Sequence, residues 1–133
     1  MQEYVCGFAF NSSMTEVLLI RKNRPEWQKG FLNGVGGHIE DGETSIEAML
    51  REFKEEAGLD TISENWTSLI ILSDPFGSWR VYFYYGIFYL NMAKSMTDEL
   101  LIPVDLNVLH KHKVIPNLLW LIPMAVDSDI KDF

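Results

Sequence analysis

Cysteine and positive charge are both scarce in this sequence. Cys6 is the one cysteine among 133 residues, so no disulfide can form within the chain. Nothing near it in sequence suggests an activated thiol, so we expect a small buried side chain and a reducing, intracellular environment. Eleven Lys and Arg residues stand against 19 Asp and Glu residues, a formal net charge of -8. A long nucleic-acid partner, which needs a basic surface, is therefore not expected, whereas a small anionic ligand is compatible with this charge.

Long apolar runs, repeats and linkers are also missing. The longest apolar stretch, residues 81–90, is about half as long as a membrane-spanning helix, so we expect no membrane partner. The first four residues lack the positive region and apolar core of a secretory signal, so we expect a cytoplasmic protein. A chain of this length can form one hydrophobic core, which predicts a single domain over residues 1–133.

Two pairs of β-strands are predicted. Residues 4–10 and 17–20 flank a polar turn, which indicates an opening hairpin. Residues 66–73 and 78–90 are rich in β-branched and aromatic residues and flank a turn that contains Pro and Gly. These four segments predict a substantial β-sheet.

The remaining segments are less regular. Residues 24–37 contain four glycines and one proline, a density that favours a long loop with close backbone approaches. Residues 117–126 are almost entirely apolar and predict a short helix, which Pro123 should break or kink.

The clearest helix prediction covers residues 44–57. Thr44 and Glu47 match a capping box, and Gly58 stands where a left-handed C-cap is expected. A core-facing stripe is predicted for Ile46, Leu50, Phe53 and Ala57. An exposed arc away from that stripe is predicted for Glu52, Glu55 and Glu56.

Three neighbouring carboxylates on one helix face repel one another and need a compensating cation. Mg2+ or Mn2+ is the natural candidate, since these ions take oxygen ligands and leave positions for water and phosphate. A solvated acidic face is the alternative.

The segment around this helix resembles the signature of the Nudix hydrolase family. The pattern runs over 23 residues: Gly37, Glu43, Arg51-Glu52, Phe53, Lys54, Glu55-Glu56, Ala57, Gly58 and Leu59. The helix predicted independently from capping and periodicity supplies the expected context.

The resemblance implies a fold and a chemistry. Nudix domains are α/β/α sandwiches with a mixed β-sheet and a loop–helix–loop that binds divalent metal, and they cleave nucleoside diphosphates linked to another group. By resemblance, Glu55 and Glu56 are metal ligands, and Glu52 is a further ligand or the base that activates water. The carbonyl of Gly37 is an additional ligand, and Arg51 orients one of the carboxylates, Glu43 or Glu55.

Further candidate residues lie outside this segment. Lys22 and Arg24 are either surface cations or contacts for phosphate oxygens. Glu99 is a turn residue or, as in many family members, another acidic metal ligand or base, with Asp98 as an alternative. Trp27, together with Trp79, either packs in the core or stacks on a base.

The glycine-rich segment carries the clearest indication of substrate. Asn33-Gly34-Val35-Gly36-Gly37 resembles the corresponding segment of oxidised purine nucleoside triphosphatases, where the matching asparagine binds the purine edge. An Asn in such a turn can equally bind the backbone. Asn117 stands where those enzymes carry acidic residues, and His38 replaces the usual lysine.

Three functions follow as hypotheses. The leading one is a Mg2+- or Mn2+-dependent pyrophosphohydrolase that cleaves a nucleoside triphosphate, for example 8-oxo-dGTP, to monophosphate and pyrophosphate. The second is hydrolysis of ADP-ribose or a dinucleoside polyphosphate. The third is a nucleotide-sensing Nudix domain without catalysis, which the presence of all three glutamates disfavours. The expected partner is a small nucleotide, and the sequence leaves open a monomer or a homodimer.

Overall fold

The computed structural model describes residues 1–127, so residues 128–133 of the predicted domain lie outside the described residues. The described part contains seven β-strands and two α-helices. Their bounds are β1 Gln2–Phe10, β2 Glu16–Arg21, β3 Leu32–Asn33, β4 Val35–His38, α1 Ser45–Ala57, β5 Thr67–Ser73, β6 Trp79–Ile87, β7 Leu101–Asp105 and α2 Leu118–Val126.

A parallel pair, β1 and β6, forms the centre of one mixed sheet. The two strands pair over their whole length, from Gln2 opposite Trp79 to Phe10 opposite Ile87. On the far edge of β6, β5 pairs antiparallel, as the predicted second strand pair requires. The predicted opening hairpin is also present, with β1 antiparallel to β2. The strand β7 then pairs with β2.

The other edge of β1 is shared by two strands. Near its end, Ala9 and Phe10 pair with β2, whereas residues 4–7 pair with β4. The short strand β3 pairs with the end of β2. Residues 32–38 therefore pair first with β2, through β3, and then with β1, through β4. The prediction of a loop over residues 24–37 is wrong for the second half of that segment. The sheet neighbours, which local sequence does not reveal, impose extended structure there.

Side chains of β1 alternate between two cores. Cys6, Phe8 and Phe10 pack with the apolar side of α2, whereas Val5 and Ala9 pack with α1. Helices therefore cover both faces of the sheet, and the predicted α/β/α sandwich is confirmed. Neither α-helix among residues 1–127 is long and apolar enough to cross a membrane.

The helix α1 begins and ends where the sequence predicted, but the face that it turns toward the core differs from the predicted one. Thr44 and Glu47 form the capping box, and Gly58 adopts the left-handed C-cap with φ of 72°. The fully buried face consists of Ala48, Met49, Phe53 and Ala57, so the predicted stripe members Ile46 and Leu50 are only partly buried. This rotation turns two of the three glutamates toward the sheet. The prediction of an exposed carboxylate arc is correct for Glu55 and wrong for Glu52 and Glu56, which are partly buried.

Two other predicted boundaries shift. The strand β6 ends at Ile87 rather than at residue 90. The helix α2 continues past Pro123 to Val126, so of the predicted break or kink the break does not occur. Burial of Leu121, Ile122 and Ala125 against the sheet holds the helix together across the proline.

Close contact between β4 and β1 requires glycine at residue 36. A Cβ atom on Gly36 would overlap the carbonyl oxygen of Val5 on the paired strand. Neither backbone can withdraw without breaking the pairing of residues 4–7 with β4.

We therefore expect Gly36→Ala to lower the free energy of unfolding by about 2 kcal/mol or more, measured by urea denaturation. The exposed substitution Ser12→Ala is the control and should change it by less than about 0.5 kcal/mol. A Gly36→Ala protein as stable as the control would contradict this account of the β4–β1 contact.

Candidate functional site

An open cleft of about 1220 Å³ lies between α1, the first strands and the segment that precedes α2. Every candidate site residue named from the sequence lines it, except Asp98, the alternative to Glu99. These residues are Lys22, Arg24, Trp27, Asn33, Gly37, Arg51, Glu52, Glu55, Glu56, Glu99 and Asn117. The fold thus brings together residues up to 95 positions apart in sequence.

Arg51 is the centre of a network of acceptors. Its Nε and Nη2 donate to Glu43 at 2.7 and 2.9 Å, and Nη1 donates to Glu52 at 2.9 Å. Nη1 also lies 3.3 Å from a carboxylate oxygen of Glu55, and Nη2 donates to the carbonyl of His38 at 2.9 Å. The hydrogen bonds from Arg51 hold the pKa of Glu43 below its usual value. Arg51 therefore ties β4 and the loop before α1 to the carboxylates of the helix.

Glu56 is the least compensated carboxylate of the cleft. Burial raises its pKa to about 8, and the neighbouring charges of Glu52, Glu99 and Glu55 add to this, whereas Lys22 opposes it. Its Oε2 is buried and has no hydrogen-bond partner among residues 1–127. Burial also raises the pKa of Glu52, although Arg51 acts in the opposite direction. A cation at this point would relieve both groups.

Gly37 brings the backbone of β4 directly against Glu52. A Cβ atom at this position would lie 2.5 Å from Oε1 of Glu52. Any other residue would displace the carboxylate, so this glycine shapes the acidic end of the cleft.

The donors at this end suit a hard divalent cation. Carboxylate oxygens of Glu52, Glu55 and Glu56, with the Gly37 carbonyl, are oxygen ligands of the kind that Mg2+ and Mn2+ prefer. In the described part of the chain, no three His, Cys, Asp or Glu side chains already form a metal-holding group. The orphaned Oε2 of Glu56 nevertheless fits a cation, and Arg51 holds two of the other carboxylates beside it.

Glu99 anchors the basic side of the cleft. Its side chain is only 5% exposed, and Oε1 accepts a hydrogen bond from Lys22 Nζ at 2.9 Å. Oε2 accepts the backbone N–H groups of Asn23 at 2.5 Å and Arg24 at 3.2 Å. Although burial raises the pKa of Glu99, these N–H donors and Lys22 outweigh it and lower the pKa overall. Asp98, the alternative to Glu99, instead pairs with Arg24 at 2.7 Å on the surface.

Amides and indoles form a further group of lining residues, called here the amide end of the cleft. Asn33 Nδ2 donates to Gln28 Oε1 at 3.1 Å, and Oδ1 of Asn117 is buried without a hydrogen-bond partner in the described residues. Trp27 is 66% exposed and Trp79 is 41% exposed, and both line the cleft. Neither indole is a core residue, so both are available to a ligand.

Sequence reasoning missed two residues of this end. Gln28 lines the cleft and binds Asn33, but it belongs to no motif that could have identified it. Cys6 is buried as expected, and burial raises the pKa of its thiol to about 12. It also lies in the cleft wall next to Asn33, a position that only the register of β1 against β4 reveals.

Comparison with known proteins identifies the family. A family model described as the NUDIX domain matches residues 2–103. The chain belongs to the Nudix hydrolase family. The resemblance of residues 37–59 to the Nudix signature is thereby confirmed, and Nudix hydrolases generally use divalent metal ions.

Two curated Nudix relatives match part of the chain. The human 8-oxo-dGDP phosphatase NUDT18 is 37% identical, and its mouse counterpart is 34% identical. Each match covers 56% of this chain and 26% of the relative, so the chain spans about a quarter of the length of these proteins.

Solved Nudix structures share the fold. A MutT structure, from a study of Aliivibrio salmonicida and Vibrio cholerae, has a TM-score of 0.78 at 21% identity and covers 99% of this chain and 98% of its own. The NUDIX domain of Shewanella oneidensis NrtR, complexed with ADP ribose, has a TM-score of 0.76 at 16% identity and covers 93% and 85%. At these identities the likeness establishes the fold.

The raised pKa of Glu56 predicts a pH-dependent stability of the metal-free protein. Between pH 4.5 and about 8 the unfolded chain has released this proton while the folded protein keeps it, so stability falls as pH rises. In chelator, Glu56→Gln should be more stable than the wild type at pH 8, on the order of 3 kcal/mol, and the difference should shrink toward pH 5. Urea denaturation at both pH values measures this.

Glu16→Gln, an exposed substitution on β2, is the control and should show no such pH dependence. A difference between Glu56→Gln and wild type that is equal at both pH values would contradict the burial of an uncompensated carboxyl at this position.

Proposed function

We propose that this Nudix hydrolase is a divalent-metal-dependent pyrophosphohydrolase. It cleaves a nucleoside triphosphate, with oxidised purines such as 8-oxo-dGTP as the leading candidates, to the monophosphate and pyrophosphate. The observation that carries the proposal is the cleft itself: the partly buried Glu56, with a buried carboxylate oxygen that has no hydrogen-bond partner among residues 1–127, lines the same cleft as Lys22 and Asn33. One bound nucleotide could therefore contact a metal ion at Glu56, Lys22 through a phosphate, and Asn33 through its base.

The acidic end would hold Mg2+ or Mn2+ through Glu52, Glu55, Glu56 and the Gly37 carbonyl. When bound, such an ion offsets charge on the phosphoryl oxygens and lowers the pKa of the attacking water. Arg51 keeps the carboxylates in place through its hydrogen bonds to Glu52 and Glu55. Glu52, as the alternative to a ligand role, accepts the proton that the attacking water releases.

The basic side would bind the phosphates. Lys22 is 15% exposed and fixed by Glu99, so its ammonium group is positioned in advance. Arg24 is 62% exposed and would reach a phosphate by leaving its ion pair with Asp98. Glu99 becomes a metal ligand only if it releases some of its present hydrogen bonds, since both of its oxygens accept one. Its primary role in this proposal is to anchor residues 22–24.

The amide end would recognise the base. Asn33 and Asn117 carry hydrogen-bonding groups, and Trp27 and Trp79 offer faces for stacking. The name of the relatives, 8-oxo-dGDP phosphatase, supports an oxidised purine and adds a diphosphate to the candidate substrates. Cleavage next to the first phosphate releases monophosphate in either case, with pyrophosphate from a triphosphate or phosphate from a diphosphate.

A nucleotide panel tests this proposal. The protein is incubated with 8-oxo-dGTP, 8-oxo-dGDP, dGTP, ADP-ribose and a dinucleoside tetraphosphate, each with Mg2+, with Mn2+ and with chelator, and products are separated by ion-exchange chromatography. We expect metal-dependent release of 8-oxo-dGMP and pyrophosphate from 8-oxo-dGTP at the highest rate. Preference for ADP-ribose or the tetraphosphate would establish the second hypothesis instead, and binding without any turnover would indicate a sensor.

Glu56→Gln should reduce turnover of the best substrate by about 100-fold or more, because an amide is a poor metal ligand and cannot carry the compensating charge. Circular dichroism should remain that of the wild type. Glu16→Gln, outside the cleft, is the matched control and should retain the wild-type rate. Near wild-type turnover in Glu56→Gln would exclude Glu56 as a ligand.

Glu99→Gln should raise the KM for a triphosphate by roughly tenfold, because Lys22 loses its ion pair and residues 22–24 lose their anchor. Steady-state kinetics measure KM, and Mn2+ titration followed by electron paramagnetic resonance measures metal affinity separately. Weakened Mn2+ binding would support the additional ligand role of Glu99, whereas unchanged Mn2+ binding restricts it to anchoring. An unchanged KM in Glu99→Gln would contradict the proposal that Glu99 anchors residues 22–24.

A further inference from the structure

One row of side chains along α1 includes both of the partly buried glutamates of the cleft. The row consists of Ser45, Met49, Glu52 and Glu56, which follow one another at intervals of four, three and four residues. At about 100° per residue, Glu52 and Glu56 lie roughly 20° to either side of the direction of Ser45 around the helix axis. A contact that holds Ser45 in one direction therefore holds the two carboxylates in nearly the same direction.

Two members of this row lie against glycines of the sheet. A Cβ atom on Gly7 of β1 would lie 2.6 Å from Cε of Met49. On the neighbouring strand β4, a Cβ atom on Gly37 would lie 2.5 Å from Oε1 of Glu52. Because neither glycine has a side chain, the row meets bare backbone on both of these strands.

The contact of this row with the third strand is a hydrogen bond. The strand β6 pairs with β1 on the side away from β4, and its residue Tyr84 stands opposite Gly7. Tyr84 is 7% exposed, and its hydroxyl lies 2.6 Å from Oγ of Ser45. The row is thus tied by a polar contact to the centre of the sheet, at the end of α1 that lies far from Glu56.

This hydrogen bond limits the rotation of α1 in a way that apolar packing does not. Burial of Met49 and Phe53 determines which face of the helix turns inward, but apolar contacts are non-directional and tolerate small rotations. An O–H···O hydrogen bond holds its two oxygens within about 2.5–3.0 Å of each other. Arg51 ties the helix to β4 and to the loop before α1, whereas Tyr84 ties it to β6.

We propose that Tyr84 is a positioning residue for the carboxylates of the acidic end. Through Ser45 it sets the rotation of α1 on the sheet, and with it the place of Glu52 and Glu56 beside Gly37. The proposal rests on the proposed function in so far as these carboxylates bind a divalent cation. Without the hydroxyl of Tyr84 the helix still packs on the sheet, but its carboxylates no longer converge as closely on one cation.

Mn2+ titration followed by electron paramagnetic resonance tests the effect on metal binding. Tyr84→Phe keeps the ring and removes the hydroxyl. We expect its dissociation constant for Mn2+ to rise about fivefold, less than the roughly 10- to 100-fold loss typical of groups that touch a metal ligand directly. Tyr82→Phe is the matched control, because it removes a hydroxyl from the same face of β6 whose hydrogen bond goes to Glu3 instead. The Mn2+ affinity of this control should remain that of the wild type.

Variants at Ser45 show whether the two hydroxyls act as a pair. Ser45→Ala should weaken Mn2+ binding about as much as Tyr84→Phe, and the double variant should bind no more weakly than either, because both lose the same hydrogen bond. Ser45→Thr keeps a hydroxyl and should retain the wild-type affinity. A merely structural role would lower the free energy of unfolding in urea without changing the Mn2+ affinity of the folded protein.

A metal-free measurement follows the rotation of the helix itself. Residual dipolar couplings of the α1 amides vary with the period of the helix, and the phase of this variation reports the rotation of α1 about its axis. In chelator, Tyr84→Phe and Ser45→Ala should shift this phase, whereas Tyr82→Phe should not. An unchanged phase or an unchanged Mn2+ affinity in Tyr84→Phe would overturn the proposal. A wild type that binds no Mn2+ would contradict the proposed function, and the phase would still decide whether Tyr84 positions the carboxylates.

Discussion

The guanidinium of Arg51 is the contact on which the arrangement of the cleft depends. It joins three separate pieces of backbone, since it donates to the carbonyl of His38 on β4, to Glu43 in the loop and to Glu52 on the helix. Its hydrogen bond to Glu52 helps to hold that carboxylate against Gly37. Acidic residues that would repel one another are thereby kept at one end of the cleft.

The charges of the cleft are divided between satisfied and unsatisfied groups. Glu43 and Glu99 are each matched by donors of the protein, and their pKa values are lowered accordingly. Glu56 is different, because burial removes it from water while no donor within the described residues reaches its Oε2. The fold therefore maintains one carboxylate in an unfavourable environment, which is the expected condition of a group whose partner is a ligand rather than a side chain. The net charge of -8 conceals this distinction.

How far the sequence predicted this structure depends on the range of the interactions involved. The capping box and Gly58 are local, and the spacing of residues 37–59 is regular, so α1 and the acidic cluster were predictable. Burial of Glu56 was not, because the rotation of α1 follows from how Met49 and Ala48 pack against the sheet. The strands β3 and β4 were missed for a similar reason, since glycines that favour a loop locally are held extended by β1 and β2. The hydrogen bond between Gln28 and Asn33 joins two residues of an irregular segment, so no periodic pattern in the sequence predicts it.

The extended course of residues 32–38 sets a distance as well as a surface. Asn33 at the amide end and Gly37 at the acidic end lie four residues apart, on the consecutive strands β3 and β4. At the rise of a β-strand, their backbones are separated by roughly 13 Å. This separation is held by the pairing of Asn33 with β2 and of Gly37 with β1, not by the side chains that line the cleft. The segment therefore sets the length of a ligand that can contact both ends of the cleft at once, whatever chemical groups that ligand carries.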